Sequence, residues 1–78
     1  MKKNVLTYLR YMHTHFCEDE ARKAFKNAAC GWEYVWQKYL YLVRNNGRDG
    51  AIALFFCEID STLQDALCDH IQTNYPDC

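Results

Sequence analysis

The chain has 78 residues, half of them hydrophobic and 15% aromatic, with a formal net charge of −1. That length allows one domain, 1–78, near the lower limit of independent folding, which buries only about 60–65% of the surface its unfolded form exposes. A near-neutral balance gives no general attraction to nucleic acid or to an anionic membrane, and no apolar run reaches the roughly 18 residues needed to span a bilayer.

The first helical pattern runs from about Asn4 to Phe16. Val5, Leu9, Met12 and Phe16 repeat at four, three and four residues, the spacing of one helical face. His13 and His15 fall on opposite flanks of that face. Arg10 and the two histidines interrupt the apolar residues too early for a signal peptide, so a cytoplasmic chain with reduced thiols is expected. Its five cysteines are Cys17, Cys30, Cys57, Cys68 and Cys78, and the first three read as small core hydrophobes.

Glu18, Asp19 and Glu20 then crowd into one turn, suiting the positive end of a second helix from about Glu18 to Cys30. Glu18 with Arg22 and Asp19 with Lys23 are correctly oriented four-residue pairs. Ala21, Ala24, Phe25 and Ala28 form its inner face, small enough for a neighbouring helix to approach closely, and Gly31 ends it in the C′ position.

The stretch Trp32 to Asn46 is the centre of the pattern, with nine large apolar or aromatic residues. Trp32, Val35, Trp36, Tyr39, Leu40, Leu42 and Val43 share an arc of about 160°, wider than the roughly 100° stripe of a surface helix. Tyr34 and Tyr41, with Lys38 near them, lie on the opposite side, where a soluble monomer would place charge. Asn46-Gly47 and Asp49-Gly50 signal a loop. The following segment, 51–58, is apolar on every side, which leaves helix and strand open. With no second strand to pair with, it reads as a short helix with Asp49 as N-cap, unless a second copy of the chain completes a strand.

The last helix starts at Ser61-Thr62-Leu63-Gln64, a capping-box spacing, and runs to about Asn74. Leu63, Ala66, Leu67 and Ile71 face inward with His70 among them; Asp65, Asp69 and Gln72 face outward. The expected fold is all-α, a bundle of four to five short helices around the aromatic helix at about 32–46.

Charge divides along this order. Residues 1–48 hold all nine Lys and Arg against four acids, and residues 49–78 hold six acids and no Lys or Arg. Such asymmetry either draws the halves together inside the fold or marks a binding face.

No catalytic constellation emerges. His13 with His15 and Cys68 with His70 are each two residues apart, about 200° on a helix, so neither pair converges on one metal ion or makes a thiol–imidazole dyad. No glycine fingerprint for phosphate is present. No cofactor, metal or enzymatic activity is expected. A helix-turn-helix spanning Ala21 to Val43 would need a polar, basic recognition helix, and Gln37, Lys38 and Arg44 are too few.

Protein binding remains. Tyr and Trp dominate interface hot spots, so Tyr34, Lys38 and Tyr41 are candidate contact residues. The acidic outer face carrying Asp65 and Asp69, with Glu58, Asp60 and Asp77 nearby, is the second candidate, suited to a basic groove on a partner. The expected function is a small non-catalytic module that binds, and inhibits or regulates, a larger protein, with homodimerisation as a further association. By size and composition alone it matches the profile of small regulators carried by phages and plasmids. The alternative is a nucleic-acid-associated helical protein using Arg10, Arg22, Lys23 and Lys26 to hold phosphates.

Overall fold

The structure, a computed structural model, describes residues 5–76. Four helices follow one another: α1 (Val5–Thr14), α2 (Glu18–Ala24), α3 (Trp32–Glu58) and α4 (Ser61–Asn74). The all-helical class and the aromatic centre agree with expectation. Asn4, Asp77 and Cys78 lie outside the described residues.

The decisive feature is a break inside α3. Gly47 has φ 76 and ψ 170, outside helical geometry, between two helical arms at 32–46 and 48–58. The arms fold back on each other: the Tyr39 and Phe55 rings sit 5.4 Å apart edge to face, whereas 16 residues of straight helix would separate them by about 24 Å. The expected loop over Asn46 to Gly50 therefore contracts to one residue. Asn45 and Asn46 turn their amides back to donate to the Tyr41 and Leu42 carbonyls one turn earlier, so both asparagines belong to the first arm and not to a loop. Residues 51–58 are helical. Asp49 does not cap them, because the second arm is already helical from Arg48, and the Asp49 side chain lies out in solvent.

That backbone region is open almost only to glycine. A Cβ at Gly47 would meet nothing within 4 Å, so a side chain costs through the backbone alone. Gly47→Ala should destabilise by about 1–3 kcal/mol, measurable by thermal denaturation. An unchanged melting temperature would mean the reversal does not depend on this conformation.

The core fills the space between the arms, α1, α2 and α4. Tyr11, Met12, Phe25, Val35, Ile52, Phe55 and Leu67 are fully buried. Of the expected inner face of α1, Met12 and Phe16 are buried and Leu9 packs against the core, but Val5 is exposed and Tyr8 and Tyr11 are buried in addition. Tyrosine can turn inward here because each hydroxyl finds an acceptor. Tyr8 donates to the Ile52 carbonyl at 2.6 Å, and burial pushes its phenol well above the usual range. On the first arm of α3 the buried set is Val35, Tyr39 and Leu42, with Trp32, Trp36 and Val43 only partly covered and Leu40 exposed. The apolar arc is thus narrower than the sequence suggests.

Other boundaries shift for local reasons. Helix α2 stops at Ala24, and turns bonded from Ala28 to Phe25 and from Gly31 to Ala28 replace its expected last turn. Gly31, at φ 87, starts α3 rather than ending α2. Asp19 pairs with both Arg22 and Lys23, the latter at 3.2 Å, so Arg22 uses Asp19 and not Glu18. Asp60 rather than Ser61 caps α4, accepting from the Leu63 amide at 2.9 Å. Gln64 donates back to the Phe56 and Ile59 carbonyls instead of closing a capping box. Cys17, Cys30 and Cys57 are exposed rather than packed in the core, and their thiols are free.

Candidate interaction surfaces and a buried carboxylate

Tyr34, Lys38 and Tyr41 occupy one stripe of the first arm of α3, within about 60° of one another at 100° per residue. No helix of the described fold covers the two tyrosines, Tyr34 being 56% and Tyr41 66% exposed, while Lys38 is half-buried. The Lys38 ammonium lies 5.9 Å from the centroid of the Tyr34 ring, within the reach of cation–π attraction.

Because the arms of α3 fold back, this stripe meets the acidic end of the second arm. Tyr34, Val35 and Lys38 line one wall of a cleft of about 340 Å³, and Glu58, Ile59, Asp60 and Leu63 line the other. Two surfaces that look separate in the sequence therefore share a boundary. Asp65 and Asp69 are exposed on the outer side of α4. Asp69 borders a different groove, of about 400 Å³, between α2 and α4, where Lys23, Lys26 and His70 also stand. The five sequence-predicted contact residues thus divide into the tyrosine stripe and the α4 acids.

A third feature was not foreseen as a site. Glu20, in the first turn of α2, is 8% exposed and accepts from three segments. Tyr11 of α1 donates to Oε1 at 2.8 Å, and Tyr75, past the end of α4, donates to Oε2 at 3.1 Å. His70 Nε2 lies 2.8 Å from Oε1. Asn74 Nδ2 stands 3.1 Å from His70 Nδ1, an arrangement that fits the tautomer with its proton on Nε2. His15 stacks on Tyr75 with ring centroids 4.1 Å apart.

Burial alone would raise the Glu20 pKa, but the hydrogen bonds from His70, Tyr11 and Tyr75 outweigh it and hold the carboxyl below its usual value. Burial and the bond to Glu20 push Tyr11 far upward, and the same two causes raise Tyr75. Both ring nitrogens of His70 are occupied, which suits a structural clasp. The sequence held a faint signal for it. Glu20 lies four residues before Ala24, beside the small-residue face of α2, and His70 lies within the apolar face of α4.

A third cavity, of about 340 Å³, lies between α1, the second arm of α3 and α4, lined by Val5, Tyr8, Leu9, Ala53, Phe56, Cys57 and Cys68. Among the described residues no three His, Cys, Asp or Glu side chains are grouped to hold a metal ion, and no helix is long and apolar enough to cross a membrane. Comparison with protein-family models, curated proteins and solved structures finds no match.

Proposed function

We propose that this chain is a non-catalytic protein-binding module that inhibits or regulates a larger protein in the cytoplasm, with Tyr34, Lys38 and Tyr41 at the centre of its contact face and the α4 acids Asp65 and Asp69 as a second surface. The observation that carries this reading is the exposure of two tyrosines on one stripe of the central helix. Exposed aromatic surface on a small chain is characteristic of interaction sites, and tyrosine gives large contact area at low entropic cost. The occupied nitrogens of His70 argue against a role as general base. For the nucleic-acid alternative, two of its four cations, Arg22 and Lys23, are already engaged by Asp19.

The double substitution Tyr34→Ser with Tyr41→Ser tests the reading. Both side chains are exposed, so the variant should keep its helical circular dichroism and melt within a few degrees of wild type. Self-association by light scattering, and recovery of a partner from the native host by affinity capture, should both be lost. A variant that unfolds places the tyrosines in the core, and one that retains every association removes the stripe as the contact face.

A further inference from the structure

We propose that the cleft between the two arms of α3 and the start of α4 is a socket for an arginine side chain on a basic segment of the partner protein. The inference rests on the protein-binding reading and adds the chemistry of what is bound. The Val35 and Leu63 side chains, both buried, give the cleft an apolar floor, which suits the methylene stem of a long cationic residue. Tyr34 supplies an aromatic face, and the resident Lys38 ammonium above it marks that face as attractive to a cation. Across the cleft stand Glu58 and Asp60. Neither makes an ion pair within 4 Å with the described Lys or Arg side chains, and Asp60 spends only Oδ1 on the Leu63 amide. At about 340 Å³ the cleft lies near the lower end of the range for small-ligand pockets.

Arginine fits this set better than lysine. Its guanidinium stacks flat on an aromatic ring while its edge donates to carboxylates, and it sheds water more readily than an ammonium. Lys38 is then a competitor: an incoming guanidinium displaces it from Tyr34 toward solvent, against residual like-charge repulsion. Removing Lys38 should therefore tighten binding, the reverse of what a generic contact residue would do. Tyr41, two helical turns along the same stripe, extends the surface beyond the socket, which favours a protein segment over a small free cation.

The test is calorimetric titration of the full chain with oligoarginine, oligolysine and oligoglutamate peptides of equal length, at about 0.05 and 0.15 M salt. Oligoarginine should bind about tenfold more tightly than oligolysine, and oligoglutamate should not bind. Glu58→Gln, at an exposed position that caps no helix, should weaken oligoarginine about three- to tenfold. Lys38→Ala should strengthen it, and Asp49→Asn, with the same charge change at the solvent-exposed start of the second arm, should leave it nearly unchanged. Equal losses in Glu58→Gln and Asp49→Asn, equal affinity for the two basic peptides, or weakening by Lys38→Ala would each overturn the proposal in favour of diffuse attraction. Loss of self-association in Glu58→Gln would also overturn it, assigning the socket to a second copy, whose Arg10 and Arg44 are exposed. If the double tyrosine variant loses its native partner while Glu58→Gln keeps it, the binding face stands and the socket falls.

Discussion

Phe55→Ala should leave the chain unfolded or barely folded at room temperature. The ring is fully buried and is the meeting point of three others: Phe16 at 5.7 Å, Phe25 at 6.4 Å and Tyr39 at 5.4 Å. Removing such a ring costs about 3–5 kcal/mol, because its neighbours collapse only partly into the cavity. A 78-residue domain has roughly 4–12 kcal/mol in total, so the loss takes at least about a quarter of it and, in the lower part of that range, nearly all. Trp36 provides the contrast. It is the larger residue, and it stacks on Tyr39 at 5.4 Å, but it lies at the rim, half covered. Trp36→Ala should therefore cost less than Phe55→Ala. Urea denaturation of both variants decides the order, and a wild-type-like midpoint for Phe55→Ala would mean that the core is not centred between the arms of α3.

Loss of the buried carboxylate should rank second. Glu20→Gln keeps the shape but replaces one of the two acceptor oxygens with an amide N–H₂, which meets a donor whichever way it turns: Tyr75 at the Oε2 position, or Tyr11 and His70 at the Oε1 position. The mismatch should cost about 2–4 kcal/mol at neutral pH. The sign of the pH dependence follows from the depressed pKa. The unfolded chain titrates Glu20 near the ordinary glutamate value of 4.5, and the folded chain titrates it lower. The contribution is thus complete above about pH 5 and disappears as pH falls through the folded value. Melting temperatures from pH 7 to pH 2.5 should show a steep acid decline in wild type and a shallower one in Glu20→Gln. Asp19 is depressed too, by Lys23 first and then by Arg22, but it is common to both proteins and cancels in the difference. Parallel acid limbs would show that Glu20 is not the group being titrated.

These two residues also mark where the sequence was legible. The helical class, the amphipathic last helix and the exposed Tyr34 and Tyr41 follow from periodicity, because a residue's face on a helix is a local property. Gly47 was legible as a point of reversal, but the asparagines before it stay helical and bond back into their own arm, so the loop seemed longer than it is. The face of α1 was legible at Leu9, Met12 and Phe16, but its two tyrosines were missed for a non-local reason. Tyr8 and Tyr11 are buried because Ile52 and Glu20 accept from their hydroxyls, acceptors that are distant in the chain. Glu20 itself looked like one of three solvated acids favouring a helix N-terminus, and only the approach of α1 and α4 makes it a buried acceptor. The cleft beside Tyr34 was illegible because it requires residues 34 and 58 to be neighbours, which the reversal at Gly47 brings about.

The reversal also bears on the order in which the chain assembles. Contacts between the arms of α3 join residues such as Tyr39 and Phe55, 16 positions apart, whereas the Glu20 clasp to His70 closes a span of 50. Closing the longer loop costs about 1 kcal/mol more in chain entropy, so the hairpin of α3 is the cheaper nucleus and the clasp a late event. On this hypothesis Glu20→Gln acts on the unfolding limb of the chevron, accelerating escape from the native state while refolding keeps its wild-type rate. A slowed refolding limb in that variant would instead place the joining of α1, α2 and α4 before the transition state. With the clasp formed last, the final turn of α4 and Tyr75 would be the first part of the native chain to let go.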